Sequence, residues 1–289
     1  MTMFWVTAWA ALRRVLGAAV DLVLPSGCAA CHAPGSGPLC GTCTDAVRSA
    51  SRGVGAAAVA QSAPPAVTAM PSCWAGARFE GALRLAVTAY KDEGRRDLRD
   101  ELARLLGAAL TAAAGEPAVR RRLGSGEEVL VVPVPTARAS RRRRGDDPVG
   151  ELAVAATAAV NGRVEGVAPQ RVARDSGERW APGRWGFVVV PALVHTRRVA
   201  DQAHLDRAAR ARNLAGSMSV GAPWRGVVRG STCVLVDDVV TTGATLAEAA
   251  RALHDAGARH VVAAACATTP RHSQAPPLWP TGPPTSVSA

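Results

Sequence analysis

Two adjacent carboxylates are followed, within a few residues, by a turn rich in threonine and glycine. Asp237 and Asp238 end an apolar run, and the sequence TTGAT occupies residues 241–245. Backbone N–H groups and threonine hydroxyls in such a turn can bind a phosphate, and Gly243 lets the backbone approach it closely. The carboxylates would repel a phosphate but accept hydrogen bonds from a neighbouring polyol. The spacing therefore predicts a ligand with both a phosphate and free hydroxyls, as in a 5-phosphorylated ribose.

The flanking residues supply the elements that must position this turn. Residues 234–236 are apolar and β-branched or aliphatic, which predicts a short strand buried on both faces, as in a parallel sheet. Residues 245–254 carry apolar side chains at helical spacing, and Gly257 is a plausible stop. A helix that begins at the turn adds the positive end of its dipole to the predicted phosphate site.

Four cysteines near the N-terminus form a second motif, made of two Cys-x-x-Cys pairs separated by a loop rich in glycine and proline. They are Cys28, Cys31, Cys40 and Cys43. Four thiolates at this spacing can surround one ion tetrahedrally, and the metal would then fold a segment that has no core of its own. We predict structural Zn²⁺, although an iron site uses the same ligands. Two disulfides are the alternative, which requires an oxidising compartment.

A second loop is predicted where the strand at residues 128–135 ends, because ligands collect at the carboxyl ends of strands in doubly wound sheets. Its candidate residues are Pro133, Val134, Pro135, Thr136 and Arg138. The arginines at 141–144 follow directly. They would neutralise a leaving pyrophosphate, form a solvated basic loop or contact a DNA backbone, and the sequence does not separate these interpretations.

The net charge and the N-terminal segment limit the classes of protein to which this chain can belong. The 289 residues carry a formal charge of +11, and Lys91 is the one lysine among 34 basic residues. This balance permits a nucleic-acid partner but suits an acidic ligand equally. Residues 1–24 are apolar and predicted helical, too short to span a bilayer and interrupted by Arg13 and Arg14. We expect a packing helix, with a membrane-surface anchor as the alternative, and a cytoplasmic protein with no transmembrane segment.

Residues 79–91, 97–114 and 151–160 are predicted helices, whereas residues 163–191 have the composition of an insertion. The predicted organisation is an N-terminal helix at 1–24, a four-cysteine zinc module at 25–50 and a linker at 51–70. An α/β domain at 71–269 and a disordered tail at 270–289 follow.

The turn at 237–245 resembles the binding signature for phosphoribosyl pyrophosphate (PRPP) of type I phosphoribosyltransferases. The order of motifs, with the cysteine module, the YKDEGRR segment at 90–96, VPVP at 132–135 and NLAG at 213–216, is similar to the ComF family. The resemblance implies a parallel sheet of the type I phosphoribosyltransferase kind flanked by helices, and PRPP bound with Mg²⁺. The residues it assigns to PRPP are Asp237, Asp238, Val239, Val240, Thr241, Thr242, Gly243, Ala244 and Thr245.

The same resemblance implies two alternative functions. The first is transfer of a phosphoribosyl group with release of pyrophosphate, with Asp237, Asp238 and Arg144 as the catalytic set. The second is a competence or DNA-uptake factor that binds single-stranded DNA or a transport helicase without catalysis. The sequence departs from the family pattern at Asp146, Val199 and Met218. These departures fall in the half that would bind the acceptor.

Overall fold

A computed structural model of the protein describes residues 27–34, 37–52, 70–136, 147–163, 186–197 and 214–269. Its centre is a sheet of five strands, all parallel, in the order β1-β7-β6-β2-β3, beside a two-stranded antiparallel ribbon of β4 and β5. The strands are β1 (Cys73–Arg78), β2 (Val129–Pro133), β3 (Phe187–Val189), β4 (Leu193–His195), β5 (Met218–Val220), β6 (Thr232–Val240) and β7 (His260–Thr268). The predicted α/β class with a parallel sheet is confirmed.

Helices cover both faces of the sheet. In chain order they are α1 (Gly41–Arg52), α2 (Gly81–Thr88), α3 (Arg99–Ala113), α4 (Pro117–Gly124), α5 (Pro148–Arg163), α6 (Arg225–Val228) and α7 (Ala244–Asp255). A π-helical turn at Ala89–Glu93 continues α2, and short 3₁₀ turns lie at Arg96–Leu98 and Ala222–Trp224.

Alternate residues of each strand belong to two separate hydrophobic clusters, because successive side chains of a strand point to opposite faces of the sheet. On β6, Val234 and Val236 face α3, α5 and the cysteine module, and Cys233 and Leu235 face α7 and the β4–β5 ribbon. The sheet is therefore buried on both sides, as the near-continuous apolar sequence of its strands predicts.

The structure corrects several boundaries. The strand predicted at 234–236 runs over nine residues and contains both acids, because β7 continues beside it to Thr268. The helix predicted from residue 79 begins at Gly81, after the unpredicted strand β1. The insertion interpretation of 163–191 is wrong for residues 187–189, which pair with β2 as the edge strand of the sheet.

Several predicted features lie outside the described residues: the N-terminal helix at 1–24, most of the linker, the tail, the arginines at 141–144, Arg138, Asp146 and Val199. Within the part of the chain that the structure describes, no helix has both the length and the hydropathy that a bilayer crossing requires.

Candidate functional site

The predicted site residues meet at the carboxyl edge of the sheet. Pro133, at the end of β2, lies opposite Val236 on β6, and the Val134 N–H donates to the Val236 carbonyl at 2.9 Å. The loop after β2 therefore starts directly beside the acid pair. This is the arrangement expected of a ligand cleft between neighbouring parallel strands.

The two acids leave β6 on opposite faces of the sheet, because they are adjacent residues of a strand. Asp237 is half-buried, and Asp238 is buried with 3% of its surface exposed. Burial, reinforced by the charge of Asp238, raises the pKa of Asp237 to about 8 although Lys91 acts in the opposite direction. The Asp237 carboxylate accepts the Asp238 N–H at 2.9 Å, and Asp238 accepts the Val239 N–H at 2.7 Å.

A lysine from a distant part of the chain reaches the acid pair. The Lys91 Nζ lies 2.6 Å from Asp238 Oδ2 and forms an ion pair with it. Burial lowers the pKa of Lys91, but the charges of Asp238 and Asp237 outweigh burial and raise it above its ordinary value. In the sequence this lysine stands out only as part of the YKDEGRR segment.

The threonine–glycine turn joins β6 to α7 as predicted. Gly243 caps the N-terminus of α7 with φ +77°, a backbone conformation that residues other than glycine rarely adopt. The Thr242 hydroxyl accepts a hydrogen bond from the Ala244 N–H at 3.3 Å. Thr241 is exposed. The first N–H groups of a helix lack partners within the helix, so this end of α7 can receive an anion.

Met70 packs against the turn, although the sequence analysis places it at the end of a linker. A Cβ atom added to Gly243 would lie 2.1 Å from the Met70 sulfur, and Met70 is buried. The close contact and the positive φ are two independent reasons for glycine at this position.

Two polar contacts hold the loop that follows β2. The His195 imidazole, on β4, lies 3.0 Å from the Pro135 carbonyl oxygen, and the Thr136 hydroxyl donates to Asp147 at 3.2 Å. Asp147 also accepts the Gly150 N–H in the first turn of α5. The loop is thereby tied to the ribbon on one side and to α5 on the other.

The four cysteines of the N-terminal module converge. Their sulfur atoms all lie within 4.8 Å of one another, and Cys31 and Cys40 are 3.5 Å apart. Tetrahedral Zn–S bonds of about 2.3 Å place sulfurs about 3.8 Å apart, so the donor set fits a metal ion. Burial opposes ionisation of Cys28, yet the backbone N–H groups of Cys31 and Cys40 outweigh burial and lower its pKa to about 6. Burial and the neighbouring thiols raise the pKa of Cys43 instead. A thiolate is the form that binds metal.

The predicted PRPP and pyrophosphate residues thus divide into two groups. The first group lies together at the sheet edge: Asp237, Asp238, Val239, Val240, Thr241, Thr242, Gly243, Ala244 and Thr245 with Pro133, Val134, Pro135 and Thr136. Val239 and Val240 are strand residues paired with β7 rather than part of the turn. Arg138 and Arg144 lie outside the described residues. Lys91, Met70 and His195 are additional contacts of the site. Lys91 belongs to the YKDEGRR segment, and no local sequence pattern marks Met70 or His195.

The phosphoribosyl transferase domain family matches residues 199–280. Among curated proteins, the DNA utilization protein YhgH of Escherichia coli O6:H1 is 41% identical over 83 residues, and that of E. coli K12 is 40% identical over 83 residues. Each match covers 29% of this chain and 34% of the relative, so the chain spans about a third of the length of these proteins.

A solved structure of the allosteric regulatory enzyme of purine biosynthesis aligns with this chain at 21% identity and a TM-score of 0.31. The alignment covers 60% of this chain and 26% of the enzyme's chain. That score is too low to establish a common fold. The domain match and the relatives confirm the resemblance to the ComF family and its phosphoribosyltransferase-like domain.

Proposed function

We propose that this chain, which resembles the ComF family, binds PRPP through the turn between β6 and α7. The observation that carries the proposal is the placement of two acids and a glycine-capped helix N-terminus at one sheet edge. In this arrangement residues 241–245 hold the 5-phosphate. The acid pair accepts hydrogen bonds from the ribose hydroxyls.

The reaction that suits such a site is phosphoribosyl transfer. A nucleophilic acceptor forms a bond to C1 of the ribose while the C1–O bond to pyrophosphate breaks, and pyrophosphate leaves with the electron pair. Mg²⁺ bound with PRPP supplies positive charge to the diphosphate. We assign the leaving pyrophosphate to the loop at 133–136 and the segment that follows it. There Arg138 and Arg144 bind the pyrophosphate oxygens by charge-assisted hydrogen bonds.

Asp238→Asn is expected to abolish PRPP binding, because the amide removes the buried anionic acceptor and the charge that pairs with Lys91. Isothermal calorimetry with PRPP and Mg²⁺ measures the affinity, with a loss of about 100-fold or more expected. Asp255→Asn is the matched control, since it makes the same charge change at an exposed position at the far end of α7. Unchanged affinity in Asp238→Asn would refute the assignment of the acid pair.

The cysteine module is proposed to hold one structural Zn²⁺. The converging sulfurs support this, and reduced thiols suit the cytoplasm, which is the location we propose. The division into a zinc module at 25–50 and a phosphoribosyltransferase-like domain at 71–269, joined by a linker at 51–70, belongs to the same proposal. The two parts share one hydrophobic cluster, in which Cys28 and Val47 pack with residues of α2 and α3.

A second candidate function is binding of single-stranded DNA as part of DNA uptake, with a transport helicase as the protein partner. It is favoured by the name of the relatives, DNA utilization protein, and by the formal charge of +11. Under this proposal the arginines at 141–144 contact the phosphate backbone.

The DNA proposal predicts that replacing Arg141 and Arg142 by alanine weakens binding of a fluorescent oligonucleotide in anisotropy titrations. The loss of two phosphate contacts makes the negative slope of log affinity against log salt concentration shallower by about 1.4. Arg120 and Arg121, exposed on α4, provide a control with the same loss of charge. Absence of binding at low salt, or equal losses in both variants, would count against a DNA site in this segment.

A further inference from the structure

The one lysine of the chain makes an ion pair with the buried member of the acid pair. The distance from Lys91 Nζ to Asp238 Oδ2 is 2.6 Å, and the exposed fractions of the two side chains are 38% and 3%. The lysine thus spans from the surface to a carboxylate that has almost no contact with water. Nothing in the resemblance to a family assigns it a role.

A π-helical turn carries this lysine to the sheet edge. The turn at Ala89–Glu93 follows α2 and ends at Gly94 with φ +74°. Such turns insert one residue into a helix and redirect the side chains that follow. Tyr90, fully buried beside the lysine, donates from its hydroxyl to the Pro148 carbonyl at 3.1 Å. Arg96 covers the Tyr90 ring at 4.5 Å and donates to the Tyr90 carbonyl.

The cysteine module braces the same turn from the other side. Arg95 donates to the Gly27 carbonyl, directly before Cys28, at 2.9 Å, and also binds the Asp97 carboxylate. Cys28 and Cys43 belong to the same buried cluster as Tyr90. The backbone that carries Lys91 is therefore fixed at several points, and its ammonium is held in place rather than free to follow solvent.

Two carboxylates beside a turn that receives an anion present an electrostatic problem. A ligand that carries several phosphate charges must approach the Asp238 carboxylate, and also that of Asp237 once it is ionised. Like charges in a poorly solvated site repel strongly. The charged groups that face the lysine include these two acids and Asp92, and the Cys266 thiol on β7 is also close to the acids. Lys91 supplies a positive charge directly beside Asp238.

We propose that Lys91 is a positioning residue of the acid pair. Its ammonium fixes the orientation of the Asp238 carboxylate and offsets one negative charge where the anionic ligand approaches. The second part of this inference rests on the proposed PRPP function, but the first part does not. Because the lysine is unique in the chain, it can be observed alone by selective labelling.

The first measurement needs no ligand. Protein labelled with ¹³C and ¹⁵N in lysine gives one side-chain ammonium resonance, whose titration reports the pKa of Lys91. We expect that pKa above 10.5 in the wild-type protein and lowered in Asp238→Asn, since the partner charge is removed. A resonance that titrates identically in both proteins would overturn the ion pair.

The second measurement uses PRPP and Mg²⁺ in calorimetry on the full chain. Lys91→Met is expected to lower the affinity by about tenfold or more, and Lys91→Arg to stay within about threefold, because a guanidinium preserves the charge. Arg84→Met, an exposed site on α2, controls for the change of net charge. Wild-type affinity in Lys91→Met, or equal losses in the methionine and arginine variants, would overturn the positioning role.

The two proposals fail separately. If the wild-type protein binds no PRPP, the proposed function is wrong, and the lysine titration still decides whether Lys91 holds Asp238. If PRPP binds and the lysine titration is insensitive to Asp238→Asn, the proposed function stands and this inference is lost. Should Lys91→Met fail to fold, the titration of the wild-type lysine and the Lys91→Arg affinity retain the test.

Discussion

Gly243→Ala is expected to abolish measurable PRPP binding while leaving the protein folded. Gly243 has φ +77°, and the left-handed conformation costs a residue with a Cβ atom roughly 1–2 kcal/mol. The added carbon would also lie 2.1 Å from the Met70 sulfur. The turn must relax to remove the backbone strain, and either the turn or the Met70 side chain must shift to remove the overlap. Its backbone N–H groups then no longer converge on one anion.

The measurement is calorimetry with PRPP and Mg²⁺ beside a thermal unfolding curve. Gly257→Ala is the matched control, because Gly257 also has a positive φ of +89° and follows the other end of α7, about 20 Å from the turn. It should lose similar stability and keep its affinity. Met70→Ala in the Gly243→Ala background should restore affinity only in part, since it removes the overlap and not the backbone strain. Equal affinity in Gly243→Ala and wild type would show that the phosphate binds elsewhere.

Removal of the metal ion is expected to lower the stability of the fold more than any substitution proposed above. The described residues of the zinc module at 25–50 include few buried side chains, so the four thiolates are expected to depend on the ion for their arrangement. Its loss also loosens the cluster shared with α2 and α3. We expect one Zn²⁺ per chain by elemental analysis, and a fall in Tm of about 10 °C or more on chelation, which corresponds to several kcal/mol for a domain of this size.

Cys28→Ser should reproduce this loss of metal and of stability, because it removes one of four ligands. Cys73→Ala is the control: this cysteine is also buried but lies on β1, in the hydrophobic cluster on the other face of the sheet. It should retain a full equivalent of zinc. A protein that remains folded with unchanged Tm after complete chelation would disprove a structural role for the ion.

The sequence alone determined the features that depend on local chemistry. The acid pair, the glycine turn and the helix start follow one another within nine residues, and each has a local physical signature. The four cysteines are equally local in their two pairs. The parallel sheet followed from apolar runs that are buried on both faces. These predictions required no knowledge of which segments are neighbours in space.

Other features depend on packing between distant segments, and these became visible in the folded structure. Strand β1 has the sequence CWAGAR, which has little β-propensity, so its local sequence does not predict a strand. Gly76 is required in this strand because the α3 backbone at Leu105 leaves no space for a Cβ atom. The extent of β6 past the acids depends on its pairing with β7.

The contact between Lys91 and Asp238 joins residues almost 150 positions apart, and Met70 reaches Gly243 across a similar separation. Side chains brought together by the fold leave no periodicity in the chain, because their spacing is set by the sheet order and not by any helix or strand repeat. The sequence therefore predicted the residues of the proposed phosphorylated-sugar site. The packing of the π-helical turn after α2 and of Met70 before β1 placed further side chains beside them.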